Sequence, residues 1–321
     1  MKKLHLLLVL LSAAVAAPVL AQPFPSKPVR MVVPSSIGSG PDLLARAVGA
    51  KLSERWGQPV VIDNKPGAST IIGNDFVAKA APDGYTLSVT PHSFAITPAL
   101  YKSIPYDPLK DLAPVSNLAI ASMVLVVNPS VPAQNVAEYV KYVKASPGKY
   151  NYGSAGAGTT HHIMMELFKY VAGLDIVHVP YKGPGPITPD LLNGQLTGGA
   201  FIALHTAVPL INSGRLRALA VAGDKRSTIA PEIPTVAETG YKAFDPELWY
   251  GVLAPGGTPM ELVRKISADV AAALASPDVR EALSKQGFVP SPSTPEALGE
   301  IIRSDITRYK KLVADTGMKA E

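Results

Sequence analysis

Two segments far apart in this chain share one pattern: a short apolar strand runs into a loop rich in glycine and serine, and the loop opens a helix. The first loop joins a strand at residues 29–33 to a helix at 41–56, and the second joins a strand at 150–153 to a helix at 160–172. Such loops leave backbone N–H groups unpaired at a helix start, where the helix dipole adds positive potential. The pattern therefore predicts two anion-binding loops that close on a small anion from both sides.

Strands and helices alternate along most of the chain. Further strands are predicted at 60–63, 85–90, 123–127, 176–180, 195–201, 216–222 and 249–253, and further helices at 71–81, 133–145, 186–193, 205–213, 259–275, 277–286 and 295–316. Alternation of this kind is typical of parallel sheets that are covered by helices on both faces. We therefore predict an α/β fold with mainly parallel sheets.

Two segments are predicted to cross between domains, at residues 122–128 and 245–254. The last three helices have no strands between them, so we expect them to return and cover the first sheet. This gives one discontinuous domain, residues 22–122 plus 248–321, and one inserted domain, residues 123–247. A two-strand hinge joins the domains, and the cleft between them is the expected ligand site.

The amino terminus has the order of a secretory signal peptide. Lys2 and Lys3 precede an apolar run over residues 4–17, and small residues lead to Ala21. The run is shorter than the roughly 20 residues that a membrane-spanning helix needs. We expect cleavage after Ala21 and a periplasmic, exported mature chain.

Charge and cysteine content exclude several partners and chemistries. The formal net charge is +5, and loss of the two signal-peptide lysines leaves +3, without clusters of Lys or Arg. So small a charge argues against nucleic acid as a partner. The chain has no cysteine, so disulfides and thiol chemistry are excluded. We expect a monomer without a cofactor.

Short motifs follow one another in a fixed order along the mature chain. They include Lys-Pro-Val-Arg-Met-Val-Val-Pro (27–34), Gly-Ser-Gly-Pro-Asp-Leu-Leu-Ala-Arg (38–46), Pro-Asp-Gly-Tyr-Thr-Leu (82–87), Asn-Tyr-Gly-Ser (151–154), His-Val-Pro-Tyr-Lys-Gly (178–183) and Ile-Pro-Thr-Val-Ala-Glu-Thr-Gly (233–240). In this order they resemble the Bordetella-uptake-gene (Bug) type of periplasmic solute-binding protein of tripartite tricarboxylate transporters. The resemblance implies a two-domain Venus flytrap that captures a carboxylate, often through bridging waters, for a membrane permease.

This chain departs from the family pattern in both halves of the site. The family commonly has an aromatic residue and a Gly-Gly pair in the first loop, where this chain has Ser35 and, at 38–39, Gly-Ser. Some members have an acidic residue just past the position of Phe201, where it pairs a ligand ammonium, but here Ile202 and Ala203 follow. The resemblance therefore implies an acid without an amine, either a di- or tricarboxylate or an aromatic acid.

The predicted ligand-binding residues lie in the two loops or at strand ends. They are Ser35, Ser36, Gly38, Ser39, Thr90, Ser154, Ala155, Gly156, Gly158, Thr159, Thr160 and Phe201. Backbone N–H groups and hydroxyls can bind a carboxylate without a charged side chain, and glycine lets the backbone come close.

Other polar residues near the loops are predicted to be structural. Asp42 lies in the first turn of its helix, where capping and the helix dipole explain it. His161 and His162 point about 100° apart on a helix, so they cannot easily share a metal ion; His162 is assigned to packing or capping and His161 to no ligand role. Tyr181 is either a cleft wall or a core residue, and His178 a core histidine. No metal ligand or catalytic residue is predicted.

An exported nucleotide-binding or hydrolytic enzyme remains as the alternative. A serine hydrolase would use Ser154, but Tyr152 stands where its motif needs glycine, and residues 206–321 contain no histidine. A dinucleotide enzyme finds a ribose-binding acid in Asp63, but Leu43 occupies the third glycine position of its loop.

Overall fold

The structure is a computed structural model that describes residues 24–223, 225–244 and 248–317. The predicted signal peptide, residues 1–21, lies outside the described residues. The strands are β1 (Val29–Val33), β2 (Val60–Asn64), β3 (Thr86–Pro91), β4 (Leu112–Ala121), β5 (Met123–Val127), β6 (Asn151–Ser154), β7 (Val177–Pro180), β8 (Ala200–Ala203), β9 (Arg217–Val221), β10 (Trp249–Pro255) and β11 (Phe288–Pro290). The helices are α1 (Gly40–Trp56), α2 (Ile71–Ala78), α3 (Ser93–Leu100), α4 (Val136–Lys144), α5 (Thr160–Ala172), α6 (Ile187–Leu192), α7 (Leu204–Asn212), α8 (Met260–Ala275), α9 (Pro277–Lys285) and α10 (Pro295–Thr316).

The larger sheet has six strands in the order β11–β4–β10–β3–β1–β2. Strand β1 is parallel to β2 and β3, whereas β10 runs antiparallel to both of its neighbours, β3 and β4. Strand β1 is buried because its apolar side chains pack against α1 and α8 on one face and α2 and α3 on the other. The sheet therefore combines strands from the beginning of the chain with β10 and β11 from its end.

Two smaller sheets lie within residues 123–221. Strand β5 is the middle of a three-stranded antiparallel sheet, β8–β5–β9, and β6 pairs in parallel with β7. The α/β class is as predicted, but the expectation of mainly parallel sheets is wrong, since five of the eight strand pairings among the described residues are antiparallel. The reason is that β10 and β11 return into the first sheet against the direction of their neighbours, and β5 enters the second sheet against its own.

One apolar core cluster continues from the larger sheet into the smaller ones. It includes Phe94 of α3, Leu125 of β5, Phe168 of α5 and Ile306 of α10. The two parts of the chain are thus packed together beside the crossing segments. The division into residues 22–122 plus 248–321 and residues 123–247 stays a proposal. A helix of membrane-spanning length and hydropathy does not occur in the part of the chain that the structure describes.

One predicted strand begins later than expected because of a glycine. The strand predicted at 195–201 begins only at Ala200, because Gly199 has a left-handed φ of 78°. A Cβ at this position would collide with the carbonyl oxygen of Val126, so the turn needs glycine. The turn places β8 beside β5 and brings Ala203, at the end of β8, to the cleft described below.

Candidate functional site

A cleft of about 710 Å³ lies where the two Gly/Ser loops meet, within the size range of small-molecule sites. Eight of the predicted ligand-binding residues line it: Ser35, Ser36, Gly38, Ser39, Ala155, Gly156, Thr159 and Thr160. Residues of the crossing segment, Ser122 and Met123, line it as well. The loops, far apart in the sequence, therefore face one space.

Four predicted contact residues are not among those that line this cleft: Phe201, Thr90, Ser154 and Gly158. Phe201 has no exposed surface and stacks on Phe244 in the core, with ring centroids 5.6 Å apart. Thr90 is buried within β3, which extends to Pro91 instead of ending at residue 90, and its hydroxyl accepts a hydrogen bond from Asn74. Ser154 is also fully buried. Contact roles for Phe201, Thr90 and Ser154 are therefore corrected to structural ones.

Tyr181, left open as cleft wall or core, does not line the cleft. Its ring packs beside the apolar cluster under β8, and its hydroxyl donates to a carboxylate oxygen of Asp190. Among the described residues it belongs to the support of the second loop.

Asp42 organises the first loop from behind. It accepts hydrogen bonds from the Gly38 amide at 2.9 Å and from Asn64 Nδ2 at 3.0 Å, and it pairs with Arg46 at 2.9 Å. Burial opposes ionisation of Asp42, but hydrogen bonds from Arg46, Gly38 and Asn64 outweigh it and hold its pKa below the usual range. The ionised carboxylate thus fixes the loop while facing away from the cleft.

Helix α1 begins at the cleft without a side-chain cap. Ser39 is its N-cap residue, yet the Ser39 hydroxyl makes no capping hydrogen bond, and the first intrahelical bond runs from Leu43 N–H to Ser39 O at 3.0 Å. The amides that precede Leu43 in the helix therefore have no acceptor within it. The Ser39 amide itself is not available, because it donates to Ser36 O at 3.2 Å, and Gly38 N–H donates to Asp42. This corrects the expectation that both amides bind the ligand.

Helix α5 begins in the same way at the other side of the cleft. Its N-cap residue, Thr159, donates its hydroxyl to Gly156 O at 2.7 Å instead of capping the helix. Its first intrahelical bond runs from Ile163 N–H to Thr159 O at 3.0 Å. The backbone amides of residues 160–162 are therefore left without helical acceptors. By contrast, Asn135 caps α4 by accepting from its backbone at 2.9 Å, so the chain does cap helices elsewhere.

The glycine amides of the second loop donate hydrogen bonds to side chains of the same segment. Gly156 N–H donates to Ser154 Oγ at 3.1 Å, and Gly158 N–H donates to His162 Nδ1 at 3.0 Å. Ser154 Oγ is also hydrogen-bonded to His178 Nε2 at 2.6 Å. The amides of Gly156 and Gly158, predicted to face the ligand, are thus already paired.

Two stacked histidines support this loop. The His162 and His178 rings lie 4.2 Å apart, and the Tyr152 ring stacks on His178 at 4.9 Å. Burial, together with neighbouring His178, lowers the pKa of His162 to about 4, so His162 is neutral and its Nδ1 accepts the loop amide. Because Ser154 is fully buried, its pairing with His178 serves the loop, and a nucleophilic role has no room for a substrate.

The turn at Ala68–Thr70 touches the second Gly/Ser loop at one edge of the cleft. Ser69 Oγ donates to Gly158 O at 2.7 Å, and Thr97 Oγ1 donates to Ser69 O at 3.1 Å. Ala68, Ser69 and Thr70 have φ values of 44°, 50° and 83°. Three consecutive left-handed residues without glycine are unfavourable, so the surrounding contacts must hold this turn in place.

Three side chains that line the cleft keep a buried polar atom without a hydrogen-bond partner among the described residues. The atoms are Ser39 Oγ, Thr70 Oγ1 and His161 Nδ1. Burial lowers the pKa of His161 to about 4, so its ring is neutral. No role was predicted for Thr70 and no ligand role for His161, and both line the cleft. Unpaired buried polar atoms are costly unless a ligand or water completes them.

The cleft carries little charge. Lys182, an exposed residue, is the one fully charged side chain among the described residues that line it. Ile202 is buried and Ala203 lines the cleft, so no carboxylate stands where some family members hold an ammonium. Among the described residues, no group of three or more His, Cys, Asp or Glu side chains is placed to hold a metal ion.

One part of the lining is apolar and aromatic. We call Leu43, Met123, Tyr250 and Phe288 the apolar floor. The Tyr250 and Phe288 rings meet edge to face, with centroids 5.5 Å apart. A Cβ at Gly40 would lie 2.8 Å from the Tyr250 hydroxyl, so glycine at the start of α1 lets this ring come up to the first loop. No sequence pattern indicated the floor.

Comparison with known proteins gives consistent matches. Residues 44–318 match the family described as "Tripartite tricarboxylate transporter family receptor". BugT of Bordetella pertussis is 38% identical over 310 residues, which cover 96% of this chain and 95% of BugT. A Rhodopseudomonas palustris protein solved with adipate is 35% identical, with a TM-score of 0.84 over 92% of this chain and 99% of that chain. MatC from the same organism, solved with malate, is 32% identical, with a TM-score of 0.81 over 90% of this chain and 100% of that chain.

Proposed function

Because this chain belongs to the family of tripartite tricarboxylate transporter receptors, we propose that it captures a small carboxylate in the cleft and presents it to a membrane permease. The family resemblance that the motifs indicated is confirmed, as is the fold of the periplasmic solute-binding proteins. The family is one of receptors, so the alternative of a nucleotide-binding or hydrolytic enzyme finds no support.

The observation that best supports a carboxylate as the ligand is that two helices begin at the cleft without a side-chain cap. Helices α1 and α5 both open at the cleft without a side-chain cap, so their first-turn amides and dipoles favour an anion between them. Beside these amides Ser39 adds a hydroxyl that has no partner among the described residues, whereas the Thr160 hydroxyl lies 3.4 Å from His92 Nδ1. A hydrogen bond to a charged group contributes about 1.5–3 kcal/mol, so a few suffice for micromolar affinity, about 8 kcal/mol.

The ligand has no amine. An ammonium group in this cleft would lie without a carboxylate partner among the described residues, and burying an unpaired charge is costly. The two related structures were solved with adipate and with malate, and neither acid has an amine. We propose a di- or tricarboxylate or an aromatic acid for this chain.

The remaining parts of the proposal concern the whole protein. The mature chain begins at Gln22 and acts in the periplasm as a monomer, without cofactor or metal. Residues 22–122 plus 248–321 form one domain and residues 123–247 the other, and the ligand favours the closed arrangement because it then contacts both.

Calorimetry on the mature chain tests the proposal with malate, adipate and benzoate as probes. Gly156 has a φ of 117°, which a β-branched residue cannot adopt without strain, so Gly156→Val should distort the second loop and abolish binding of every acid. Gly185→Val is the matched control, because a Cβ there meets open space. If no acid binds to the unmodified protein, or if Gly156→Val binds as well as the control, the proposal is wrong. Tight binding of NAD or ATP instead would favour the enzyme alternative.

A further inference from the structure

We infer that the ligand is an aromatic monocarboxylate whose ring lies on the apolar floor while the two loops hold its carboxylate. The inference rests on the proposed function and narrows it, since a di- or tricarboxylate would meet the same loops. Its basis is the part of the cleft wall that lies outside the two loops, the apolar floor.

Strand register places the floor on one face of the larger sheet. Tyr250 of β10 lies opposite Ala119 of β4, and Phe288 of β11 lies opposite Ala121. Residues 119 and 121 share a face because side chains alternate along a strand. Ala121, which lines the cleft, is small enough to leave the two aromatic rings open to it. The result is an apolar corner, formed by two rings that meet edge to face, which continues to Met123 where the chain leaves the sheet.

This surface begins at the first loop. The Tyr250 hydroxyl lies next to Gly40, the first residue of α1, so a carboxylate held by the first-turn amides of that helix touches the edge of the floor. Burial raises the pKa of Tyr250 to about 12, and the phenol is therefore an uncharged hydrogen-bond donor at neutral pH. A ring attached directly to the carboxylate would pass from these donors onto the Tyr250 and Phe288 rings.

The floor has no cation that would receive a second carboxylate. Beyond Phe288 stands His205, with ring centroids 6.1 Å apart, and burial lowers the pKa of His205 below its usual value. His161 is neutral for the same reason, and Lys182 is exposed. A second carboxylate on the floor would meet aliphatic and aromatic side chains in place of the backbone amides and hydroxyls that hold the first, and its desolvation there is costly. An aromatic ring loses nothing there and gains ring contacts.

Calorimetry with benzoate, acetate, malate and adipate distinguishes the classes. We expect benzoate to bind at least tenfold more tightly than each of the other three. Phe288→Leu keeps an apolar side chain but removes the ring, and Ala121→Leu fills the space between the rings; each should weaken benzoate binding about tenfold and leave acetate binding within twofold. Because Phe288 is nearly fully buried, thermal melting checks that each variant folds, and Ala121→Leu carries the test should Phe288→Leu not fold.

Phe76→Leu is the matched control, because it makes the same change at an exposed phenylalanine that does not line the cleft, and benzoate should bind it as it binds the unmodified chain. Tighter binding of malate or adipate than of benzoate would overturn the aromatic assignment and leave the carboxylate receptor standing. Equal loss of acetate and benzoate in both floor variants would also overturn it. Absence of binding by all four acids would overturn the proposed function together with this inference.

Discussion

Replacing Thr70 by valine should make the ligand-free protein more stable and the bound complex weaker. Thr70 Oγ1 is buried beside the cleft with no partner among the described residues. Valine has the same shape and the same branching at Cβ, so the strain of the left-handed φ of 83° is unchanged. The substitution therefore removes the unpaired hydroxyl and little else.

The substitution should raise the stability of the ligand-free protein and lower its affinity for the ligand, and each effect has its own magnitude. A buried polar group without a partner costs about 1–3 kcal/mol, so removing it should raise the free energy of unfolding by about 1 kcal/mol. For a chain of this length that corresponds to a rise in Tm of about 2 °C. We expect the Thr70 hydroxyl to pair with the carboxylate in the complex, in a bond of about 1.5–3 kcal/mol, so affinity should fall about tenfold to a hundredfold.

Thr97→Val is the matched control because it makes the same chemical change at a hydroxyl that is paired. Thr97 Oγ1 shares its one hydrogen between Ser69 O at 3.1 Å and Ser93 O at 3.0 Å, so its removal leaves an acceptor unpaired and should lower the free energy of unfolding by about 1–3 kcal/mol. Scanning calorimetry without ligand and titration calorimetry with malate, adipate and benzoate measure both quantities. The reasoning is refuted if Thr70→Val loses stability as Thr97→Val does, or if its affinity for the bound acid is unchanged.

Three other outcomes are expected. Ser69→Ala removes the hydrogen bond to Gly158 O and, at about 0.5–1.5 kcal/mol, should weaken every acid about two- to tenfold in calorimetry; loss confined to one acid would contradict a role in closure. The free energy of unfolding should fall as pH drops from 6.5 towards 4. In this range His161 and His162 bind protons in the unfolded state but not in the folded state, where their pKa values are about 4. The slope is about 1.4 kcal/mol per pH unit for each group, and urea titrations across this range that show a flat profile would exclude it. Saturating ligand should reduce the radius of gyration in small-angle scattering, and an identical profile would argue against domain closure.

Local sequence pattern was sufficient to predict the bounds of strands and helices that need no particular partner residue. Strand β1 and helix α5 have the predicted bounds, because apolar runs and a Gly/Ser start followed by helical periodicity decide them locally. Strand β4 was missed because buried Ser116 and Asn117 interrupt its apolar pattern. Ser293 pairs with both residues, since Ser116 Oγ donates to Ser293 O at 3.0 Å and Asn117 N–H donates to Ser293 Oγ at 2.9 Å. A partner so distant in the chain leaves no local signal.

The candidate site divides in the same way. The two loops were found because glycine and serine before a helix have a local meaning. Which amides they offer was not found, since the acceptors that occupy Gly156 and Gly158 are side chains folded back from Ser154 and His162. His161 had a usable signal, as the second residue of a helix with no capping side chain. Thr70 had none, because only tertiary structure brings it to the cleft.

The central place of β10 has a consequence for how the protein is made. This strand separates β3 from β4 in the larger sheet, yet it is the stretch Trp249–Pro255, and β11 and the covering helices follow later still. The amino-terminal strands therefore cannot complete their sheet while the chain is being synthesised, and contacts between such distant segments form slowly. For a receptor exported as we propose, this delay keeps the nascent chain open enough to be threaded across the inner membrane. We expect the larger sheet to be completed only after β10 and the segments that follow it have been exported.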